Sequence, residues 1–209
     1  PAVVPCFLQD AASSRKSEVL ESFFSFWAEH NHVCTGSVLM RTDVVRQTGG
    51  QRTELRICED LEFWAYLATF GKWGFIPEVL FVSDGGVVTR KQGWLAKNRC
   101  RWASAPTVEQ WQQRIIDRVA PQDKGGFESA RARIAKNLAY SMVLSKRDGL
   151  ARQTIAYCNG HVHDRVSRLL RTASRRGRFT WKLACAALRL RESARDKRLK
   201  MAGLCAKCR

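Results

Sequence analysis

Apolar positions recur at helical spacing early in the chain. In residues 17–29, Val19, Leu20, Phe23, Phe24 and Trp27 fall on one helical face, and Ser17 is placed to cap it. Residues 33–41, VCTGSVLMR, are small and β-branched and then apolar, which predicts a buried strand. Thr42-Asp43 can cap a short helix over 43–47, and Gly49-Gly50 stops it, as glycine does after a last helical turn. Residues 51–58 are polar and predict a loop. A second amphipathic helix is predicted from Glu59, with Leu61, Trp64, Ala65 and Ala68 on one face and Gly71 at its end. Residues 73–82, WGFIPEVLFV, predict an extended segment that Pro77 confines to a sheet edge or bends.

After Ser83-Asp84-Gly85-Gly86 the pattern becomes helical throughout. Thr107 and Gln110 match a capping box, and Trp111, Ile115 and Val119 form the apolar stripe of a helix over 106–119. Residues 127–145 predict a longer helix with Ile134, Leu138 and Val143 inward. Shorter helices are predicted over 150–158 and 162–172, and a very basic one over 179–200. The expected organisation is an α/β piece over residues 1–90 followed by an all-helical piece over 91–209. The predicted strands 33–41 and about 74–82 would share one mixed sheet with the 59–70 helix beside it. No fixed-period repeat and no low-complexity linker interrupts the chain.

Charge sharpens this division. Residues 1–90 carry a net charge of −3 and residues 91–209 a net charge of +20, out of +17 for the 209-residue chain. A uniform nucleic-acid binder would not leave its first 90 residues acidic. Residues 165–209 hold 15 Lys/Arg against 2 Asp/Glu, interleaved with Trp181, Leu183, Leu188 and Leu190. Such a run reads as a solvated helix face, as a surface for anionic membranes or lipid-linked acceptors, or as a nucleic-acid surface. The last lacks any zinc-finger spacing, RNP sequence or clear helix-turn-helix, so no nucleic-acid partner is expected.

Eight cysteines at irregular spacing, mostly among apolar residues, read as reduced thiols. Cys205 and Cys208 form a single C-x-x-C; a zinc site needs four ligands, and His161 and His163 are the only nearby supplement. Tail cysteines without a metal are the expectation. No apolar run reaches the length of a transmembrane helix and no signal peptide is read, so a cytoplasmic location is expected, peripheral to the inner face of the membrane if the basic region docks there. The opening Pro1-Ala2-Val3-Val4-Pro5 reads as the interior of a longer protein.

The chemistry-bearing stretch is 34–82. It contains, in order, Thr35-Gly36-Ser37-Val38-Leu39-Met40-Arg41, the pair Gly49-Gly50, the run Cys58-Glu59-Asp60-Leu61-Glu62-Phe63-Trp64, and Gly71-Lys72 leading to Ile76-Pro77-Glu78. Each element alone has a plain structural reading. A Gly-Gly after a helix is a turn, acids in a first helical turn suit the macrodipole, and a tryptophan is core.

Together, in this order and spacing, the elements resemble the second half of family-2 glycosyltransferases of the GT-A fold, with the pattern TGSVLxRR, GGF, EDxxLWLRL and xIPE. The resemblance is close over about 30–90 and looser over 1–30. It implies the acceptor-side part of an α/β GT-A domain and transfer of a sugar from a nucleotide-diphospho-sugar to a hydroxyl. It further implies an inverting, non-processive enzyme of polysaccharide biosynthesis at a bacterial cell envelope, with a glycan or lipid-linked acceptor. It assigns Asp60 as the general base that takes the acceptor proton, with Glu59 assisting. Gly36, Ser37, Gly49, Gly50 and Trp64 line the substrate side, with Trp64 beneath the site or stacked on a sugar ring. A divalent cation, Mg²⁺ or Mn²⁺, belongs to the full enzyme, with no ligands in this chain.

The sequence departs from the pattern at three places. Gln51 follows Gly49-Gly50 where the family has Phe. No Asp-x-Asp occurs, so the nucleotide- and metal-binding half is missing from these residues and the chain alone is expected to be inactive. Gln92 and Arg101-Trp102 are too far apart for the Gln-x-x-Arg-Trp of processive relatives. A basic helical binding protein and a non-catalytic remnant are the rival readings. With half of its sheet missing, strand 33–41 would present an unpaired apolar edge and favour aggregation.

Overall fold

The fold was read from a computed structural model that describes residues 17–30, 33, 35–78, 94–158, 162 and 164–205. The chain is α-rich with one small antiparallel sheet. It divides into two compact units. The first comprises Pro1–Thr53, Cys58–Gly85 and Gln112–Ala130; the second comprises Glu54–Ile57, Gly86–Trp111 and Arg131–Arg209. Residues 112–130 lie beyond position 90 in sequence yet belong to the first unit, and residues 54–57 belong to the second.

In the first unit, β1 (Glu18–Val19) pairs antiparallel with β2 (Gly74–Phe75). The pairing is prolonged by the Leu20 amide, which donates to the Trp73 carbonyl at 2.8 Å. Helix α1 (Phe23–His30) starts later than the apolar spacing predicts, because Ser22 rather than Ser17 caps it: the Ser22 Oγ accepts from the Ser25 amide at 3.1 Å. Residues 18–20 are thereby released to the ribbon. Ser22 also donates to Asp123. The aromatic side of α1 then packs as a cluster. Phe23 meets Trp73 at 4.4 Å between ring centroids, Phe26 meets Phe75 at 4.9 Å, and Phe24 meets Phe127 edge-on at 5.4 Å.

The predicted strand over 33–41 is not formed. Thr35–Ser37 is a 3₁₀ turn, the residues after it are irregular, and Leu39 is 98% exposed. A strand is stable only when paired with another strand, and the strand pairing among the described residues is that of β1 with β2. The predicted mixed sheet reduces to the β1–β2 ribbon; residues 79–82 lie outside the described residues. The unpaired strand edge expected to drive aggregation therefore loses its premise.

Helix α2 (Thr42–Thr48) ends as predicted, with Gly49 left-handed at φ 71° and Gly50 at φ 74°. Helix α3 (Glu59–Leu67) ends short of Gly71 and buries Glu62, Phe63, Trp64, Ala65 and Leu67; of the stripe read from sequence, Trp64 and Ala65 are buried while Leu61 and Ala68 are only partly so.

The second unit is helical: α4 (Trp94–Ala103), α5 (Val108–Gln112, whose last residue falls in the first unit), α6 (Lys124–Leu144, in this unit from Arg131), α7 (Asp148–Thr154), α8 (Arg165–Arg175) and α9 (Arg178–Cys205). The predicted capping box closes α5 reciprocally. The Thr107 amide donates to Gln110 Oε1 at 2.9 Å and the Gln110 amide to Thr107 Oγ1 at 3.2 Å. The helix read over 106–119 breaks after Gln112, with a 3₁₀ turn at Ile116–Arg118, yet Trp111, Ile115 and Val119 are buried as expected. The predicted inward residues Ile134, Leu138 and Val143 are all in the core. Helix α6 ends in a Schellman turn in which Lys146 takes φ 64° and the Arg147 amide reaches the Met142 carbonyl at 2.8 Å.

Asp164 caps α8, accepting from the amides of Val166 and Ser167. Partial burial opposes its ionisation, but these bonds and Lys136 hold its carboxyl below the usual range. Burial pushes the thiols of Cys158 and Cys185 up to about 11 and about 12, so both behave as small apolar core groups. Among the described residues no helix is long and apolar enough to cross a membrane. Cys208, His161 and His163 lie outside the described residues, as does Gln92.

The start of α6 lies close against the backbone of α1. A Cβ on Gly126 would stand 2.5 Å from the Ser25 nitrogen and 2.6 Å from the Phe24 carbonyl carbon, whereas one on Gly125 would meet nothing within 4 Å. Gly126→Ala should therefore cost about 1–3 kcal/mol or more, since only backbone can yield. Gly125→Ala should be neutral or stabilising by up to about 1 kcal/mol, as helix propensity dictates. Denaturant unfolding of both variants checks the contrast; equal stabilities would refute the close approach.

Candidate functional site

The acidic run opens α3 with unusual backbone. Cys58, the residue before the helix, is left-handed at φ 58°, a conformation that costs a non-glycine residue about 1–2 kcal/mol. Its carbonyl accepts from the Glu62 amide at 2.9 Å, so the strained residue starts the helix without a side-chain cap. Glu59 and Asp60 follow in the first turn, both half-buried, and the Glu59 Oε2 atom is itself buried. Asp60 Oδ1 accepts from the Leu61 amide at 2.8 Å. The positive end of the helix dipole favours carboxylates here.

Below this turn the helix carries a buried charge. Glu62 is fully buried, and Arg114 meets it with two parallel bonds, Nε to Oε1 at 2.6 Å and Nη2 to Oε2 at 2.7 Å. The same guanidinium donates to the Gly50 carbonyl at 3.0 Å and the Thr48 carbonyl at 3.3 Å. Its Cζ lies 4.1 Å from the Tyr66 ring centroid. Arg118, one turn on, stands 4.1 Å over Phe70 and donates to Thr69 Oγ1 at 3.0 Å. Arg114 thus ties the Gly49-Gly50 turn to the helix that begins with Glu59-Asp60.

The residues singled out from sequence are placed as follows. Glu59 and Asp60 share the first turn of α3. Gly49 and Gly50 form the turn held by Arg114. Gly36 and Ser37 sit in the exposed 3₁₀ turn. Trp64 is 1% exposed and packs against Phe63 at 5.4 Å, so it lies beneath the surface as core and offers no open ring face for stacking. Arg101, considered for a processivity motif, bonds to the Arg56 carbonyl at 2.6 Å, and Trp102 packs against Leu144. Among the described residues no group of three or more His, Cys, Asp or Glu could hold a metal ion.

Glu62, Tyr66 and Arg114 were not singled out. Their signal is a charge at an inward position on each of two amphipathic segments: Glu62 beside Phe63, and Arg114 within the Trp111–Ile115 stripe. Two inward charges of opposite sign must find each other or remain costly.

Two concavities are found in the second unit. One of about 470 Å³ runs along Arg191, Ala194, Arg195 and Arg198; one of about 320 Å³ is lined by Cys100, Ala103, Leu144, Lys146 and Arg189, among others. Both are basic.

No family model matches the chain, and no curated protein or solved structure is measurably similar to it.

Removing one member of the buried pair should be far worse than removing both. Arg114→Ala leaves the Glu62 carboxylate buried and unpaired, and should cost about 3–5 kcal/mol. The double variant Glu62→Leu/Arg114→Met should cost less than Arg114→Ala, because no charge is stranded. Chemical denaturation of the three proteins decides it; a double variant no better than the single one would mean that the carbonyl bonds of Arg114 outweigh its ion pair.

Proposed function

We propose that the chain is the acceptor-side part of a family-2 glycosyltransferase that moves a sugar from a nucleotide-diphospho-sugar to a hydroxyl of a glycan or lipid-linked acceptor, with inversion and without processivity. The reading rests on the ordered motif train of residues 34–82. The observation that carries it furthest is the Arg114 clamp, which holds the Gly49-Gly50 turn against the helix opened by Glu59-Asp60. Two of the separated sequence signals thereby belong to one rigid framework, as parts of one site must.

In this reading Asp60 is the general base. It takes the proton of the acceptor hydroxyl as that oxygen bonds to the anomeric carbon, while the bond from that carbon to the diphosphate oxygen breaks and its electron pair leaves with the nucleoside diphosphate. Glu59 adds a second acceptor of hydrogen bonds beside it. Asp60 is half-buried, which suits a group that must meet a hydroxyl entering from outside, whereas one Glu59 carboxylate oxygen is buried. Gly49 and Gly50, left-handed and without side chains, let an acceptor approach the backbone. A divalent cation in the complete enzyme would neutralise the departing diphosphate; no ligand for it is assigned to this chain. The β1–β2 ribbon is smaller than a GT-A mixed sheet, so the proposal requires a nucleotide-binding half with its Asp-x-Asp in sequence beyond these 209 residues.

A second reading, a basic helical protein that binds an anionic surface, is favoured by the charge of residues 91–209 and by the exposed residues of α9. It does not use Asp60.

In the complete enzyme, Asp60→Asn should lower turnover about 10²–10⁴-fold with unfolding midpoint and donor affinity unchanged. Transfer of labelled sugar measures the first, and near-normal turnover would remove Asp60 as the base. The 209-residue chain by itself should show no micromolar affinity for nucleotide-sugars with Mn²⁺ in calorimetry. Tight binding would mean that it holds a donor site of its own.

A further inference from the structure

The sequence reading treats the apolar residues of the basic tail as one interleaved set, but the structure sorts them onto opposite faces of α9. Trp181, Ala184, Cys185 and Leu188 point into the second unit and are at most 6% exposed. Phe179, Leu183 and Leu190 point outward, at 75%, 55% and 71% exposed. These three stand at i, i+4 and i+11, which at 3.6 residues per turn places them within about 40° of one another. Ala186, also exposed, lies on the same line. The stripe is about 17 Å long at 1.5 Å per residue.

Its surroundings are positive. Lys182 stands on one shoulder, Arg191 and Arg198 on the other, and Lys197 continues the line beyond Leu190; all four are exposed and form no ion pair among the described residues. By contrast, Arg189 on the inward side is held by the Val143 carbonyl and Asp148. The helix therefore has two apolar faces: one closes the second unit, and the other is open and rimmed with cations.

Such a face has four conceivable occupants. Water alone leaves Phe179, Leu183 and Leu190 exposed along one line of the helix, so the apolar side chains have no counterpart there. A second copy meeting this face symmetrically would set Lys182, Arg191 and Arg198 against their own counterparts, at a cost in repulsion. Nucleic acid satisfies the cations but offers nothing to a line of leucines. An anionic bilayer satisfies both, since phosphates meet the shoulders and the acyl boundary meets the stripe.

We propose that the outward face of α9 seats on an anionic phospholipid surface, parallel to the membrane plane, with Phe179, Leu183 and Leu190 reaching below the headgroups and Lys182, Arg191, Lys197 and Arg198 on lipid phosphates. Helix α9 does not cross the bilayer; it is neither apolar enough nor apolar on all sides. The inference goes beyond the transferase reading and its readout is independent of it.

The test is co-sedimentation of the chain with vesicles of phosphatidylcholine alone, and of roughly two parts phosphatidylcholine to one of phosphatidylglycerol, a composition with the negative surface potential basic helices respond to. The chain should bind the second and not the first. Phe179→Gln/Leu183→Gln/Leu190→Gln should weaken binding at least about tenfold, since each side chain loses its apolar contact while the buried face is untouched. Lys182→Glu/Lys197→Glu should weaken it comparably and more so at low salt, where screening is least. Circular dichroism and unfolding of each variant should match the parent. The proposal fails if the chain ignores the anionic vesicles or binds neutral ones equally. It also fails if the triple Gln variant binds as the parent does, or if those substitutions instead dissolve a dimer in the absence of lipid. Tighter binding to an oligonucleotide than to vesicles, unaffected by the Gln substitutions, would turn the assignment to nucleic acid.

Discussion

A carboxylate with no access to water has to be met inside the fold, and at Glu62 that requirement organises the first unit. Burying an unpaired carboxylate costs several kcal/mol even after relaxation, on the order of a small domain's whole stability. Arg114 answers with a two-bond fork, and its remaining donors then have directions imposed on them. They fall on the carbonyls of Thr48 and Gly50, groups that the end of α2 leaves without helical partners. One guanidinium thus solves two problems of unsatisfied polarity, and the solution sets where the glycine turn sits relative to the first turn of α3. Replacing Arg114 by lysine would keep the charge and lose that geometry, since an ammonium cannot serve both carboxylate oxygens and two carbonyls in one plane.

Arginine plays a related part in the second unit, at chain ends rather than at a buried acid. Arg147 donates to the carbonyls of Ala103 and Ala105, Arg152 to that of Ser174, and Arg171 to those of Cys158 and Val162. Each is a carbonyl at or beyond the end of a helical element, where no further helical amide can reach. Part of the positive charge of residues 91–209 therefore belongs to the architecture of a small helical unit. Only the cations that remain outside such bonds can be argued to face a partner, and on α9 these include Lys182, Arg191, Lys197 and Arg198 around Phe179, Leu183 and Leu190. Counting charge along the sequence cannot make that separation; asking where each guanidinium points does.

What the sequence made legible follows the range of the forces involved. The Thr107–Gln110 box, the Gly49 stop of α2 and the core stripe of α6 depend on residues a few positions apart and appear as read, and Trp111, Ile115 and Val119 are buried although the helix read over 106–119 breaks after Gln112. The strand over 33–41 depended on a distant partner, and small β-branched residues without one settle into a 3₁₀ turn and irregular chain. The start of α1 was misplaced by five or six residues because Ser17 and Ser22 are equally good caps in isolation. The ribbon at Glu18–Val19, a tertiary fact, decides between them. At the candidate site, the positions of Glu59 and Asp60 in a first helical turn were legible. The buried pair beneath them was not, because it joins residues 52 apart in sequence. Trp64 illustrates the opposite limit: its place in the motif was clear, but whether its ring faces solvent was a question only packing could answer.

The two proposals make different demands on the molecule, and those demands are compatible. Sugar transfer asks for a carboxylate that an acceptor can reach, and in the proposed reading Asp60 supplies it from the first turn of a helix anchored by Glu62, Phe63, Trp64, Ala65 and Leu67. Membrane docking asks for an apolar line with cationic shoulders on a helix already anchored by its opposite face, and α9 satisfies that through Trp181 and Leu188. An acceptor carried on a lipid would link them. A chain held at a bilayer meets such an acceptor at the raised effective concentration of a tethered pair, without any new contact at the site. A soluble acceptor would gain nothing from docking. Membrane affinity therefore bears on the class of acceptor as well as on location: loss of the α9 stripe would slow transfer to lipid-linked acceptors and leave transfer to soluble ones unchanged.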